Sequence, residues 1–116
     1  MTTINFFKAS ITYFLMLICE VAEIQGKCPV YNLKDMIYIK EAVIDLKKTS
    51  KVCIHSLPSI LHYAVTLREG INPKKLGLSK DGKAAYVQCL DPGEPYTQGG
   101  TVIFKIWQEK DENYRV

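Results

Sequence analysis

Four cysteines carry most of the chemistry open to this chain, and their surroundings separate one from the other three. Cys28 stands in Gly26-Lys27-Cys28-Pro29, where glycine permits unusual backbone angles and proline removes a donor. Cys53 sits in residues 52–57 (VCIHSL), just before a helical pattern. Cys89 closes a short apolar strand and is followed by Asp91-Pro92-Gly93. Cys19 lies inside an apolar run without punctuation and reads as core. Three thiols at the ends of elements can be gathered by a small sheet folded over one helix. Thiolates suit zinc, copper(I) or an iron–sulfur cluster.

A closed zinc site requires a fourth ligand, and His55, two residues after Cys53, or Asp91, two after Cys89, supplies one. An iron–sulfur cluster on Cys28, Cys53 and Cys89 leaves one iron open to His55, a substrate or a partner, and the cluster is preferred to zinc. The wide gaps lack the local C-x-x-C pairing that marks many metal sites. A second reading makes Cys53 a nucleophilic or redox thiol, activated by the helix N-terminus, Lys51 and His55, with Cys28 or Cys89 as resolving partner. A third treats the cysteines as small buried hydrophobes in a structural or interaction module. Asp91 also suits a bland role, accepting hydrogen bonds within its own turn. His62, in mid-helix beside Tyr63, reads as a boundary residue. Tyr96, Gln98, Gly99 and Gly100 do not form a phosphate loop, because the chain continues into a strand and not into a helix; the glycines fit a hairpin-like connection.

The elements that must position these residues follow from periodicity. Residues 16–24 (MLICEVAEI) alternate as a first core strand, with Leu17, Cys19 and Val21 on one face and Ile18, Glu20, Ala22 and Ile24 on the other. Residues 32–35 read as a turn, 36–39 (MIYI) as a short strand, and 41–46 as a further extended segment. From Ser56 the period changes: Leu57, Ile60, Leu61, Ala64 and Val65 share a helical face over residues 57–69, Pro58 suits the first turn and Gly70 the position past the end. A short turn at 72–76, the SKDG turn at 79–82, a strand over 84–89, the rigid loop 91–100 and a strand over 101–107 (TVIFKIW) complete the pattern. The expected fold is α+β: a small, mostly antiparallel sheet of four or five strands packed on one principal helix.

Composition bounds the rest. A chain of 116 residues with 47% hydrophobic and 23% charged residues is one globular domain. Its net charge of +3 comes from dispersed lysines, which argues against a nucleic-acid footprint. Four cysteines without close pairs fit reduced thiols or thiols on a metal better than disulfides. Lys8 and the run at 11–19 (ITYFLMLIC) resemble parts of a secretory signal spanning residues 1–22, yet Met16, Leu17 and Ile18 make poor cleavage flanks, and the run is too short to cross a bilayer. Residues 1–15 are therefore set apart as an extension, disordered or packed as a short apolar helix, with Met16 an alternative start. Residues 16–107 form the domain, and 108–116 a polar, frayed tail. Exposed strand edges suit a homo-oligomer, and a redox partner protein is the other expected associate.

The motifs GKCPVY at 26–31, CIHSL at 53–57, LREG at 67–70 and AYVQCLDPGEPYTQGGTVIF at 85–104 together resemble a family of very short, functionally uncharacterised proteins of anaerobic bacteria and archaea. The resemblance runs from about residue 16 to 106. It implies that Cys28, Cys53 and Cys89 are the family's motif cysteines, His55 its Cys-x-His partner and 91–100 its characteristic loop. It also implies a start near Met16 and a reducing cytoplasm in which iron–sulfur chemistry is common. It brings no established activity.

Overall fold

A computed structural model describes residues 13–115. In chain order the elements are β1 (Tyr13–Gly26), β2 (Met36–Lys40), β3 (Val43–Ile44), helix α1 (Leu57–Arg68), β4 (Ala85–Gln88) and β5 (Gly100–Arg115). The strands form one sheet in the order β3-β2-β1-β5-β4, every neighbour antiparallel. The expected α+β architecture of five strands on one helix is the observed one. The expectations for residues 1–12, the signal-like start and the apolar-helix alternative among them, lie outside the described residues. Among the described residues no helix is long and apolar enough to cross a membrane.

Alternation builds the covered face of the sheet. Leu17, Cys19 and Val21 of β1 point to the same side as Ile37 and Ile39 of β2, Ala85 and Val87 of β4, and Phe104 and Ile106 of β5, and all are buried. Helix α1 lays Ile60, Ala64 and Leu67 across them. A buried residue of this kind contributes roughly 1.5–3 kcal/mol relative to exposure, so this single layer is the main source of stability. On the opposite face Ile18 is also buried, between its paired neighbours Tyr38 and Trp107.

Four sequence expectations need correction. The helix is turned from the expected face: Leu61 is 50% and Val65 60% exposed, and Leu67 replaces them. Its apolar residues are wider than the stripe one sheet can cover; Leu61 and Val65 instead border a shallow hollow with Ile39, Ala42 and Ile44. The segment 108–115, expected to fray, continues β5, with Gln108, Glu109 and Lys110 paired to Leu17, Met16 and Leu15. Backbone pairing holds this part, and the exposed side chains of Gln108, Glu109 and Lys110 give no hydrophobic signal. Strand β1 correspondingly begins at Tyr13, so residues 13–15 belong to the sheet; the Leu15 N–H donates to Glu41 Oε2 at 2.7 Å. The extended stretch at 41–46 shrinks to β3, because Glu41 turns the chain with a positive φ of 50° and Asp45 accepts the Lys47 and Lys48 N–H groups in a following turn.

The remaining turns fall where expected. Asn32 and Asp35 close a turn through reciprocal hydrogen bonds, and Gly70, at φ 85°, takes the chain away from the end of α1. The β1–β5 ribbon ends where Gly26 faces Gly100. The chain leaving β1, the start of α1 and the end of β4 converge at that end of the sheet, and the candidate site lies there.

Candidate functional site

Three loops enclose a cavity of about 480 Å³. Its walls include Cys28, Cys53 and Cys89 together with Tyr31, His55, Asp91 and Gln98. The three cysteines singled out by their punctuation therefore share one cavity, and the two candidate fourth ligands border it. Cys19 does not: it is 0% exposed in the core, and burial pushes its thiol up to about 12. All four are free thiols. Among the described residues no three of histidine, cysteine, aspartate and glutamate converge closely enough to hold a metal ion. The thiols face a common space without meeting at a point.

Each of the three sulfurs accepts backbone hydrogen bonds. Cys28 Sγ takes the N–H groups of Val30 at 3.4 Å and Tyr31 at 3.3 Å, because Pro29 turns the chain back over the thiol. Cys53 Sγ takes the N–H of His55 at 3.4 Å. Cys89 Sγ takes the N–H of Val102 at 3.2 Å, and the Cys89 N–H donates to the Val102 carbonyl at 2.9 Å. Amide donors aimed at sulfur suit a thiol that carries negative charge as a ligand, since hydrogen bonds to a charged group are the strong ones.

The loops are locked to one another by residues outside the ligand set. Ser56 Oγ donates to the Cys53 carbonyl at 2.8 Å, so its single proton is committed. The hydrogen bond of 2.9 Å between Tyr31 and Ser56 must then run from the tyrosine hydroxyl to the serine oxygen. Tyr31 Oη in turn accepts the Cys53 N–H at 2.8 Å. A closed ring of donors results: Cys53 N–H to Tyr31, Tyr31 to Ser56, and Ser56 to the Cys53 carbonyl. Both polar groups of the Cys53 backbone are fixed by it. Burial pushes the Tyr31 hydroxyl above the ordinary tyrosine range, with the Ser56 and Cys53 hydrogen bonds opposing the shift. Ser56 precedes α1 but makes no side-chain cap to it; the hydroxyl that would normally cap the helix serves the site.

Sequence reasoning missed this pair. The available signal was positional: Tyr31 and Ser56 each follow a site cysteine by three residues, where a turn brings the later residue back against the earlier one. The ring of Tyr31 also meets Phe104 edge-on, with centroids 5.4 Å apart, and so ties the Cys28 loop to the core.

Asp91 braces the third loop. Its Oδ1 accepts the Gly93 N–H at 2.9 Å and the Thr97 hydroxyl, and its backbone carbonyl accepts the Thr101 hydroxyl at 2.8 Å. Oδ2 lies against Gly99, where any Cβ would collide with it. The Thr97 and Gly93 hydrogen bonds hold the carboxyl below the usual aspartate range, and nearby His55 adds to the effect against some desolvation. The side chain thus performs the bracing role weighed for Asp91. His55 is exposed; its carbonyl accepts the Leu90 N–H at 2.9 Å, which joins the Cys53 loop to the Cys89 loop. Gly100 permits a close approach of backbone to backbone, since a Cβ there would stand 2.8 Å from the Gln25 carbonyl oxygen. His62 packs edge-on against Tyr63 at 4.6 Å and lines a separate hollow.

Comparisons of the chain with protein-family models, with curated proteins and with solved structures give no match.

Proposed function

We propose that this protein is a small redox protein that holds an iron–sulfur cluster on Cys28, Cys53 and Cys89. The observation that carries the reading is the arrangement of the sulfurs: three separate segments bring thiols to one cavity, and each sulfur accepts backbone N–H groups. A single zinc ion draws its thiolates to about 2.3 Å and hence close to one another. A [4Fe–4S] cluster takes each thiolate on a separate iron, so three thiols spread around one cavity suit it better than a single zinc ion. When bound, the cluster would supply one-electron chemistry. The chain's part is to fix the ligands, donate hydrogen bonds to their sulfurs and present the site at one end of the sheet.

The test is iron and acid-labile sulfide analysis of protein purified without oxygen, read beside its visible absorption. Iron with sulfide and a broad visible band are expected. Cys28→Ser, Cys53→Ser and Cys89→Ser should each lose the cluster, and Cys19→Ala should keep it. Zinc without sulfide replaces the cluster reading by a structural metal site. A colourless, metal-free and folded protein overturns the metal reading, and preferential alkylation of Cys53 would then mark it as a reactive thiol.

A further inference from the structure

We propose that a second cavity, beside the end of α1, binds a small aromatic anion: a planar ring that carries a phosphate or a carboxylate. The inference does not depend on the cluster reading. The cysteine cavity lies by the start of α1, and this one lies past its last turn, walled by Leu67, Gly70 and Ile71. Its origin is a mismatch of strand lengths. β4 begins at Ala85, opposite Ile106, whereas β5 runs on to Arg115. Beyond Ile106, among the described residues, the edge of β5 on the β4 side has no strand beside it, and the chain at 70–73 and 82–84 stands around the gap. The space left is about 560 Å³, within the usual range for a small-molecule site.

The walls are held without a ligand. Asn72 Oδ1 accepts the Lys74 N–H at 2.9 Å and lies so close to Gly82 that a Cβ there would stand 2.8 Å from it. Gln108 Nε2 donates to the Arg68 carbonyl and fastens β5 to the end of the helix. The Leu67 and Thr66 carbonyls accept the Gly70 and Ile71 N–H groups at 3.1 and 3.3 Å, so the negative end of α1, which would disfavour an anion, is partly satisfied.

Lys83 and Lys105 supply the charge. Both line the cavity, and no aspartate or glutamate does. Three carboxylates lie near them in sequence or across the sheet. Asp81 accepts the Lys83 N–H at 2.9 Å and the Ser79 hydroxyl at 3.2 Å, Glu109 accepts the Trp107 indole N–H at 3.1 Å, and Glu20 stands opposite Lys105 on β1. Among the described residues neither ammonium forms an ion pair with any of them. Lys105 Nζ instead rests 5.6 Å over the Trp107 ring, a weaker hold than a charge-assisted hydrogen bond, so an anion can draw it away. The loop between the two walls adds Lys74, Lys75 and Lys80, which raises the local concentration of anions. Trp107, with Ile71 and Pro73, gives the surface for a planar ring.

The chain has one tryptophan, Trp107, and it lines this cavity, so its fluorescence reports occupancy. The full chain is titrated with adenosine monophosphate, benzoate, adenosine and inorganic phosphate, and the amide resonances of Gly70, Asn72 and Gly82 are followed beside the fluorescence. Adenosine monophosphate or benzoate should change both signals saturably; a response to the first alone marks a phosphate ligand, and to the second alone a carboxylate. Adenosine and inorganic phosphate should bind at least about tenfold more weakly, since each lacks half of what the site takes. Lys83→Gln and Lys105→Gln, at positions that are not buried, should each weaken binding about tenfold, the worth of one hydrogen bond to a charged group. Ile71→Glu, which sets a carboxylate in the wall at an exposed position, should abolish it. No saturable change with either anion up to about 5 mM overturns the proposal. So does adenosine binding as tightly as its monophosphate, or full affinity in both lysine variants. Resonance shifts confined to the cysteine cavity overturn the placement of the site. The metal analysis bears on none of these outcomes, so the failure of the cluster reading and the failure of this inference are told apart.

Discussion

Tyr31→Phe is the sharpest probe of the ring that holds Cys53, because it removes one oxygen and leaves the aromatic packing in place. The ring edge would still meet Phe104. Two hydrogen bonds would go: the 2.8 Å acceptance from the Cys53 N–H and the 2.9 Å donation to Ser56. The Cys53 N–H would be left without a partner in a half-buried turn, at a cost of about 1–3 kcal/mol, and the lost donation to Ser56 adds about 0.5–1.5 kcal/mol. Cys53 is only partly buried, so water can relieve some of the first contribution, and a total of about 2 kcal/mol is expected. That is a large share of a small domain's stability of roughly 5–15 kcal/mol.

Ser56→Ala breaks the same tyrosine–serine bond from the other side. The Cys53 carbonyl loses the serine hydroxyl but keeps the N–H groups of Ser56 at 3.1 Å and Leu57 at 3.0 Å. The two losses share a bond, so the double variant should be less destabilised than the sum of the singles, by about 1 kcal/mol. Urea unfolding of the metal-free, reduced protein measures all three, with unchanged slopes confirming that only stability moves. A Tyr31→Phe protein within about 0.5 kcal/mol of the parent, a threshold set by ordinary surface substitutions, or additive single variants would refute the closed ring.

Cys19 gives an alkaline signature of opposite origin. Its thiol holds its proton to about 12 in the folded chain and loses it near 8.5 when unfolded. The unfolded state therefore binds fewer protons between these values: the contribution is complete below about 8.5 and is lost as pH rises towards 12, by up to about 1.4 kcal/mol per pH unit. Urea midpoints measured from pH 8 to 11 should fall less steeply in Cys19→Ala than in the parent; identical slopes would contradict the burial of this thiol. Gly100→Ala tests the closure of the cavity. The added Cβ would stand 2.9 Å from the Lys27 backbone nitrogen, where no flexible side chain can yield, and overpacking of this kind costs about 1–3 kcal/mol. Thermal unfolding should register that loss, and a variant as stable as the parent would show that the β1–β5 end opens easily.

Much of the fold was legible because period-2 alternation and turn chemistry act locally. Leu17, Cys19 and Val21 declare a covered face without knowing what covers it, and Asn32 with Asp35 closes a turn from within four residues. What depended on partners far along the chain was not legible. The face of α1 had two usable apolar stripes, and the choice of Ile60, Ala64 and Leu67 over Leu61 and Val65 was made by a sheet whose width the helix sequence does not encode. The pairing of Gln108 with Leu17 was hidden for a related reason: hydrogen bonding to a neighbouring strand, without burial, leaves no hydrophobic trace.

The same division runs through the site. Glycine and proline beside Cys28 and Cys89 mark places where the chain must turn sharply, and such places fall at the ends of strands. In an antiparallel sheet every second connection lies at the same end. Punctuated cysteines therefore come to line one cavity, whereas Cys19, embedded in regular alternation, is carried into the core. Tyr31 and Ser56 escape that logic because neither residue type is unusual in a loop. Their meaning arises only when the Cys28 and Cys53 loops touch, and the single proton on Ser56 then dictates the direction of every bond around the ring. Asp91 was ambiguous for the converse reason: its residue type fits both a ligand and a brace, and only the positions of Gly93, Thr97 and Gly99 reveal the bracing.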